Sequence, residues 1–170
     1  MMKRRIGILG AMPEEINGIV SLLKNKEKVV KGMRAYYKGS INEIEVVVVF
    51  SRWGKVASAT TVTHLIIEFG VTEIIFTGVA GAINKDLNIG DIVIGSSLVQ
   101  HDMDARPIMD LFEIPLLRKT KFMAPIEMLD RSISYIYELV NNNRFSRFTY
   151  TKTKRTVFID QSKGMGWRNC

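Results

Sequence analysis

The stretch "RIGILGAMPEEINGIV", residues 5–20, decides the fold. Its first residues are a short apolar run, typical of a buried strand, and the run ends at Gly10. A helix is predicted from Pro13, which is tolerated in the first turn of a helix. Two carboxylates, Glu14 and Glu15, then stand at the helix N-terminus, where an anion would otherwise bind. The stretch therefore predicts a strand, a turn and a helix, and it raises the question of what the turn holds.

The same alternation of strand and helix continues along the chain. Apolar runs predict strands over residues 33–41, 43–51, 73–82 and 90–102, and helices are predicted over 13–25, 54–70 and 124–143. The run "VVVV" is apolar on both faces, as a central strand requires. We therefore predict an α/β fold with a mixed, mostly parallel central sheet flanked by helices.

Charge is unevenly distributed along the 170 residues, which carry a formal net charge of +7. Residues 144–170 hold 7 of the 24 lysines and arginines but only one acidic residue, Asp160. Aromatic residues interleave with this basic tail, as in some nucleic-acid binders, yet no nucleic-acid motif accompanies it, so we favour a solvated end. One cysteine, Cys170, excludes a disulfide framework, and no apolar run is long enough to cross a bilayer. These observations predict a cytoplasmic protein that binds neither membrane nor nucleic acid.

Three predicted strand ends carry residues suited to a ligand. Ligands of open α/β sheets bind beyond the carboxyl ends of the strands, and these ends are Gly10–Glu15, Ser51–Lys55 and Thr77–Ala82. Small residues let a flat ligand approach the backbone, and Met12 and Trp53 could flank an apolar group. Neither a dinucleotide fingerprint nor a phosphate-loop motif is present.

Several polar residues have more than one interpretation. A carboxylate of the pair Glu14 and Glu15 either favours the helix dipole or acts as a general base for water. His64 is predicted to pack within its helix. His101, with the aspartates of "QHDMDAR", could suggest a metal cluster, but hydrogen bonding within that loop is the favoured interpretation. No metal and no cofactor are predicted.

Four segments together resemble a known family. "IGILGAMPEEI", "SRWGKVASA", "FTGVAGAINKDLNIGDIVI" and "QHDMDARP" occur in the order found in 5′-methylthioadenosine/S-adenosylhomocysteine nucleosidases, members of the purine nucleoside phosphorylase superfamily. The resemblance covers about residues 3–140. It implies a three-layer α/β fold, a homodimer, and hydrolysis of the N-glycosidic bond of a purine thionucleoside to adenine and a thioribose, without a cofactor.

The resemblance also implies roles for individual residues. Glu15 matches the carboxylate that activates the attacking water, and Ala105 falls in the stretch that reaches the thioalkyl group across the dimer interface. The Val79 position holds Ser in many members, so one hydrogen bond is expected to be missing here. The residues implied in substrate binding are Met12, Trp53, Val79, Ala80, Gly81 and Ala105.

The resemblance fades after about residue 140. The family's later segments supply an aromatic residue against adenine, a Met-Glu pair for the ribose hydroxyls and an aspartate that protonates the departing base, and we find none of them. We therefore expect a nucleosidase truncated or frameshifted at its C-terminal end, with a partial α/β domain over 1–143, an atypical tail over 144–170 and impaired turnover. The alternatives are a non-catalytic remnant that binds purine nucleosides or dimerises, and a nucleoside phosphorylase.

Overall fold

The computed structural model describes residues 3–89, 91–141, 147–151 and 156–160. The chain forms two compact units, Met1–Gly81 and Ala82–Cys170. The elements, in chain order, are β1 (Arg5–Gly10), α1 (Pro13–Ser21), β2 (Lys24–Lys31), β3 (Arg34–Ile41), β4 (Ile44–Phe50), α2 (Lys55–Ile67), β5 (Glu73–Phe76), β6 (Ser97–Leu98), β7 (Phe122–Met123), α3 (Ile126–Asn141), β8 (Arg147–Thr151) and β9 (Thr156–Asp160).

The first unit is built on a five-stranded mixed sheet with the order β2-β3-β4-β1-β5. Strand β1 pairs in parallel with both β4 and β5, whereas β3 pairs antiparallel with β2 and β4. The predicted mixed α/β fold is confirmed. Because β3 runs against β4, the start of β3 lies at the same sheet edge as the carboxyl ends of β4 and β1.

Strand β4 explains the layering of this unit, because its valines alternate between two cores. Val47 and Val49 pack with Leu65 of α2 on one face of the sheet, and Val46 and Val48 pack with the α1 side on the other. All four valines are buried. Because successive side chains of a strand point to opposite faces of the sheet, the single apolar run of β4 contributes to both cores. The sheet therefore lies between helices on both faces.

Strand β2 is the main departure from the predicted elements. The predicted helix over 13–25 ends at Ser21, and after Leu22 and Leu23 the eight residues Lys24–Lys31 form an edge strand rich in exposed lysine. An edge strand has one neighbour and faces solvent, so it needs little apolar periodicity, and lysines there discourage pairing with other chains. The predicted strand over 73–82 is likewise shorter and ends at Phe76.

The second unit is organised around α3. Leu129 and Ile133 of this helix are buried against Ile92 and Ile94. The segment 90–102, predicted as a strand, is regular only at Ser97–Leu98, which pairs with β7. No helix among the described residues combines the length and apolarity needed to cross a membrane. The domain boundary predicted after residue 143 stays a prediction, and most of the basic tail lies outside the described residues.

Candidate active site

The turn after β1 is organised by the side chain of Glu15. Met12 caps α1 with an extended backbone, which puts Glu15 at the third helical position. From there, Glu15 Oε2 accepts hydrogen bonds from the backbone N–H groups of Ala11 at 2.6 Å and Met12 at 3.0 Å. A carboxylate reaching back over a helix start satisfies donors that have no partner within the helix. Glu15 therefore caps the start of α1, in addition to the favourable helix-dipole position predicted for the two glutamates.

The second oxygen of the same carboxylate bonds to a distant part of the chain. Glu15 Oε1 accepts a hydrogen bond from Val79 N at 2.9 Å, just beyond the end of β5. Glu15 thus joins the carboxyl ends of two parallel strands, which is more than a helix cap requires. Its neighbour Glu14 is exposed at the surface. The two glutamates therefore differ in position: Glu15 is hydrogen-bonded at the strand ends and Glu14 is exposed.

Glycine at position 78 makes this arrangement possible. A Cβ atom added to Gly78 would lie 2.5 Å from Glu15 Oε1 and 2.6 Å from Glu15 Cδ. Gly10 is similarly restricted, because its added Cβ would lie 2.7 Å from Cγ2 of Ile16 and 3.1 Å from Cβ of Glu15. The small residues at these two strand ends thus make room for a carboxylate of the chain itself.

The hydrogen bonds to Glu15 leave one acceptor position of its carboxylate available to a water molecule. A carboxylate has about four lone-pair directions, and the three backbone N–H groups use two on Oε2 and one on Oε1. The remaining direction on Oε1 can accept a hydrogen bond from a water molecule. Fixed in this way, Glu15 can orient a water and take its proton, which are the two tasks of a general base.

An apolar groove is lined by residues of α1, of β3 with Met33 before it, and of the end of β4 with the segment after it, without Glu15 itself. It has a volume of about 380 Å³, and Phe50 and Trp53 meet edge-to-face in its wall with ring centroids 5.8 Å apart. Trp53 remains 75% exposed and Met12, close by in sequence, 42% exposed. The lining residues are Pro13, Ile16, Asn17, Met33, Arg34, Ala35, Tyr37, Phe50, Arg52 and Trp53.

Sequence reasoning found only part of this groove. Trp53 was singled out, whereas Tyr37 and Arg34 were not, because they belong to a strand that looks like an ordinary antiparallel neighbour. The available signal was the chain direction: β3 runs against β4, so its first residues end up beside the residues that follow β4. When a strand is predicted to pair antiparallel with its neighbour, its first residues are therefore candidate site residues, together with the residues that follow the neighbour.

Of the remaining predicted site residues, Val79, Ala80 and Gly81 are exposed and Ala105 is half-buried. Val79, Ala80 and Gly81 follow β5, and of these Val79 contacts Glu15 through its backbone. Ala105 belongs to the second unit, where its carbonyl accepts a hydrogen bond from Ile108 N at 3.0 Å. The substrate contacts implied for all four residues stay predictions.

The loop with His101 forms hydrogen bonds of its own. Asp104 binds the Arg106 guanidinium through both carboxylate oxygens, at 2.9 Å and 2.6 Å, and accepts the Arg106 backbone N–H at 3.2 Å. These bonds lower the pKa of Asp104 to about 2. Across residues 3–89, 91–141 and the two last strands, no three His, Cys, Asp or Glu side chains form a group suited to a metal ion.

His64 lies against the buried core of the first unit. Its Nδ1 is 3.0 Å from the hydroxyl of Tyr36, and the Tyr36 ring stacks on Phe69 with centroids 4.6 Å apart. Burial raises the pKa of Tyr36, and the positive charge of Arg34 opposes this shift. The packing role predicted for His64 agrees with these contacts.

Sequence relatives of this chain are bacterial nucleosidases. The aminodeoxyfutalosine nucleosidase of Helicobacter pylori strain J99 is 42% identical over 114 residues, which cover 66% of this chain and 48% of the relative. The 5′-methylthioadenosine/S-adenosylhomocysteine nucleosidase of Desulfotalea psychrophila is 41% identical over 112 residues, covering 65% and 48%. The chain spans about half the length of the curated relatives it matches.

The solved structures that this chain resembles are also nucleosidases. The S-adenosylhomocysteine nucleosidase of Streptococcus pyogenes, in complex with 5-methylthiotubericidin, superposes with a TM-score of 0.71 at 29% identity, covering 80% of this chain and 59% of the other. The 5′-methylthioadenosine/S-adenosylhomocysteine nucleosidase of Helicobacter pylori gives 0.71 at 35% identity, covering 81% and 61%. The predicted resemblance is confirmed, and the nucleoside phosphorylase-like fold with it.

A family model confirms this relationship over almost the whole chain. It matches residues 5–167, from the first residue of β1 onward, and describes the phosphorylase superfamily. The match includes the turn with Glu15, the groove with Trp53 and the small residues after β5. Because the family model matches residues 5–167, which is most of the chain, the chain belongs to the phosphorylase superfamily.

Proposed function

We propose that this chain carries the water-activating part of a nucleosidase site, which cleaves the N-glycosidic bond of 5′-methylthioadenosine or S-adenosylhomocysteine. The observation that supports it most directly is the Glu15 carboxylate, held between the ends of β1 and β5 with one lone-pair direction left for water. The names of the relatives support the substrate class. Met12, Trp53, Val79, Ala80, Gly81 and Ala105 are the residues proposed to contact the substrate.

The proposed reaction is a substitution at C1′ of the ribose. The oxygen of a water molecule forms a bond to C1′ while the C1′–N9 bond breaks and its electron pair leaves with adenine. Glu15 takes a proton from the attacking water, and its negative charge stabilises the cationic character that develops on the sugar. A proton must also reach the departing base. The sequence offers no candidate for the acid that would supply this proton.

Water is favoured over phosphate as the nucleophile. The N–H groups of Ala11, Met12 and Val79 could bind an oxyanion, but the Glu15 carboxylate already occupies them. A phosphate beside this carboxylate would be repelled by about 4 kcal/mol for unit charges 4 Å apart at an effective dielectric constant near 20. A phosphorylase therefore needs a different group at this position.

Turnover by this chain is proposed to be weak. General acid catalysis contributes about 10²- to 10⁴-fold, so lack of the leaving-group acid should lower adenine release by a similar factor relative to a full-length relative. The non-catalytic alternative, a module that binds purine nucleosides, predicts binding without any release. A homodimer and a cytoplasmic location remain predictions.

Aminodeoxyfutalosine is a second candidate substrate. The observation in its favour is that the Helicobacter pylori and Campylobacter jejuni relatives, at 41–42% identity, bear the name of that nucleosidase. The reaction at C1′ and the role of Glu15 would be the same.

Adenine release tests the proposal. Purified chain is incubated with each nucleoside, and adenine is measured by chromatography with and without inorganic phosphate. We expect slow, phosphate-independent release that Glu15→Gln lowers at least about 10²-fold. The matched control Glu14→Gln, which removes an exposed charge next to it, should change the rate less than about twofold. Equal losses in both variants, or a requirement for phosphate, would contradict the proposal, and nucleoside binding by calorimetry without release would favour the non-catalytic alternative.

A further inference from the structure

Ser51 and Thr61 are polar residues that are fully buried in the first unit and take no direct part in the proposed reaction. Ser51 follows β4, Thr61 lies in α2, and each is 0% exposed. The aliphatic side chains that are buried to the same extent include Val49 and Leu65. A polar group in such a place is costly unless it is hydrogen-bonded, so its partners show what the position provides.

The hydroxyl of Thr61 shares its one hydrogen between two carbonyl oxygens. Thr61 Oγ1 is 2.8 Å from the carbonyl oxygen of Ala57, one turn earlier in α2, and 3.0 Å from the carbonyl oxygen of Ser51. The first bond is common for a threonine in a helix. Thr60 and Thr63 also donate to the carbonyl four residues earlier, at 2.8 Å and 2.9 Å. The bond to Ser51 sets Thr61 apart from these two, because it leaves the helix and ties α2 to the end of β4.

The backbone of Ser51 continues the connection to β1. Its N–H donates to the carbonyl of Gly10 at 2.9 Å, just beyond the last pair in the register of the two strands, Gly10 with Phe50. The carbonyl of Gly10 and the N–H of Ala11 belong to the same planar peptide group. That N–H donates to Glu15 Oε2 at 2.6 Å. A hydrogen bond to the carbonyl of this peptide group therefore also fixes the direction in which its N–H points.

Three hydrogen bonds thus form a continuous path from α2 to the proposed general base. They run from Thr61 Oγ1 to Ser51 O, from Ser51 N to Gly10 O, and from Ala11 N to Glu15 Oε2. Thr61, Ser51 and Gly10 are all buried, so water does not readily replace a bond that is lost there. Neighbouring hydrogen bonds in a protein interior also strengthen one another.

The two oxygens of the Glu15 carboxylate are held in different surroundings. Oε2 is bonded to the Ala11 N–H at the end of the buried path, whereas Oε1 accepts the N–H of Val79, a residue that is 85% exposed. The acceptor position that remains for water is on Oε1. The buried path therefore fixes the carboxylate from the side of the core, and the reacting position lies on the other oxygen.

We propose that Thr61 is a positioning residue for the proposed reaction: through the backbone of Ser51 it fixes the Gly10–Ala11 peptide group and with it the orientation of Glu15 towards the attacking water. This inference rests on the proposed function for the task of Glu15. It adds to the machinery a residue of α2 whose side chain is closed to solvent. Loss of the Thr61 hydroxyl should therefore change the rate of the reaction and not the affinity for the nucleoside.

Amide hydrogen exchange measured by NMR tests the path without any substrate. Thr61→Val keeps nearly the same side-chain shape and removes the hydroxyl. We expect the Ala11 amide to exchange at least about 5-fold faster in this variant, because a buried acceptor on the path has lost its donor. The amides of β3 are the internal reference for the stability of the whole unit, and their exchange should change less than about twofold.

Three further variants separate the path from the general stability of α2. Thr63→Val is the matched control, because Thr63 is exposed and donates only within its helix, and it should leave the exchange of the Ala11 amide unchanged. Thr61→Ser restores a hydroxyl and should recover most of the protection. Ser51→Ala removes the bond from Ser51 Oγ to the carbonyl of Arg52 but keeps both backbone groups of the path, so Ala11 exchange should stay within about twofold.

Three exchange results would overturn the proposal. If the Ala11 amide exchanges at the same rate with and without the Thr61 hydroxyl, the path does not hold the peptide group. If Thr61→Val and Thr63→Val accelerate it equally, the effect belongs to the stability of the helix. If the Ala11 and β3 amides accelerate by the same factor, Thr61 stabilises the whole unit without a specific connection to Glu15.

Adenine release from 5′-methylthioadenosine tests the catalytic consequence. Thr61→Val should lower kcat about 10-fold and change KM less than about twofold, because it disturbs the orientation of the base and not the contacts to substrate. In a Glu15→Gln background the same substitution should change kcat less than about twofold, since the base that it positions is already absent. A rise in KM with kcat unchanged, or the same loss of kcat in both backgrounds, would also overturn the proposal.

The two measurements distinguish failure of the positioning role from failure of the proposed function. If the unmodified chain releases no adenine while the exchange results are as expected, the nucleosidase assignment fails and the hydrogen-bonded path from Thr61 to Glu15 stands. If adenine is released and the Ala11 amide does not respond to Thr61→Val, the positioning role fails and the nucleosidase assignment stands.

Discussion

Replacing Gly78 by alanine tests whether the position of Glu15 depends on the empty space at the end of β5. The added Cβ would lie 2.5 Å from Glu15 Oε1, closer than carbon and oxygen can approach. Gly78 does not have a positive φ, so alanine fits its backbone. The substitution therefore acts through the carboxylate alone.

The expected cost follows from how the clash is relieved. The nearest atoms are the end of a flexible, partly exposed side chain, so the carboxylate turns away and the full overpacking penalty is avoided. What is lost is the bond from Val79 N to Oε1, and a hydrogen bond to a charged group contributes about 1.5–3 kcal/mol. Alanine in place of glycine also raises the free energy of unfolding by about 0.4–1 kcal/mol, because it restricts the conformations of the unfolded chain. We expect a net loss of about 1–2 kcal/mol in the free energy of unfolding.

A double-mutant cycle measured by urea unfolding isolates this effect. Gly78→Ala is compared in the unmodified chain and in a Glu15→Ala background, where no carboxylate remains to clash. In that background we expect Gly78→Ala to be neutral or stabilising by up to about 1 kcal/mol, so the coupling free energy is about 2 kcal/mol. Gly81→Ala is the matched control, because its Cβ meets no atom within 4 Å.

Two results would refute this reasoning. If Gly78→Ala costs the same with and without the Glu15 side chain, the glycine serves the local backbone and not the carboxylate. If Gly81→Ala is as costly as Gly78→Ala, the cost belongs to the segment after β5 in general. A small coupling of a few tenths of a kcal/mol would mean that Val79 N–H contributes little to holding Glu15.

Three further outcomes are expected elsewhere in the chain. Tyr36→Phe removes the bond to His64 and should cost about 1 kcal/mol near neutral pH. Burial raises the Tyr36 pKa, so the unmodified chain should lose stability as the pH rises above 10 and Tyr36→Phe should lose less; equal losses in alkaline urea titrations would contradict this. Asp104 has a pKa lowered to about 2, so its stabilising contribution is complete above its ordinary value of 3.8 and is lost as the pH falls through about 2. NMR titration should show that Arg106→Gln returns this pKa towards 3.8, and an unchanged value would disprove the pairing. Gly39→Ala puts a Cβ 2.6 Å from a β2 backbone carbonyl and should lower the thermal midpoint, with Gly18→Ala, whose Cβ meets nothing within 4 Å, as the control.

Elements with strong local patterns could be predicted from the sequence. The turn from β1 into α1, the doubly buried β4 and the amphipathic α3 each follow from the spacing of apolar residues and from glycine and proline. Strand β2 could not be predicted in this way, because a solvent-facing edge strand needs no apolar period of its own. The segment 90–102 shows the opposite case: its apolar residues serve a core with α3 without forming a long strand.

The sequence by itself determined that a carboxylate stands at the start of α1, and it identified Glu15 and Trp53 as candidate site residues. Only the tertiary structure decided what holds them. Val79 N–H and the space at Gly78 reach Glu15 from more than sixty residues away, because parallel strands bring their carboxyl ends to one edge. Arg34 and Arg52 line the same groove because the antiparallel pairing of β3 and β4 brings the start of one strand to the end of the other. Local sequence sets the chemistry of each side chain, whereas strand order and direction set which side chains meet.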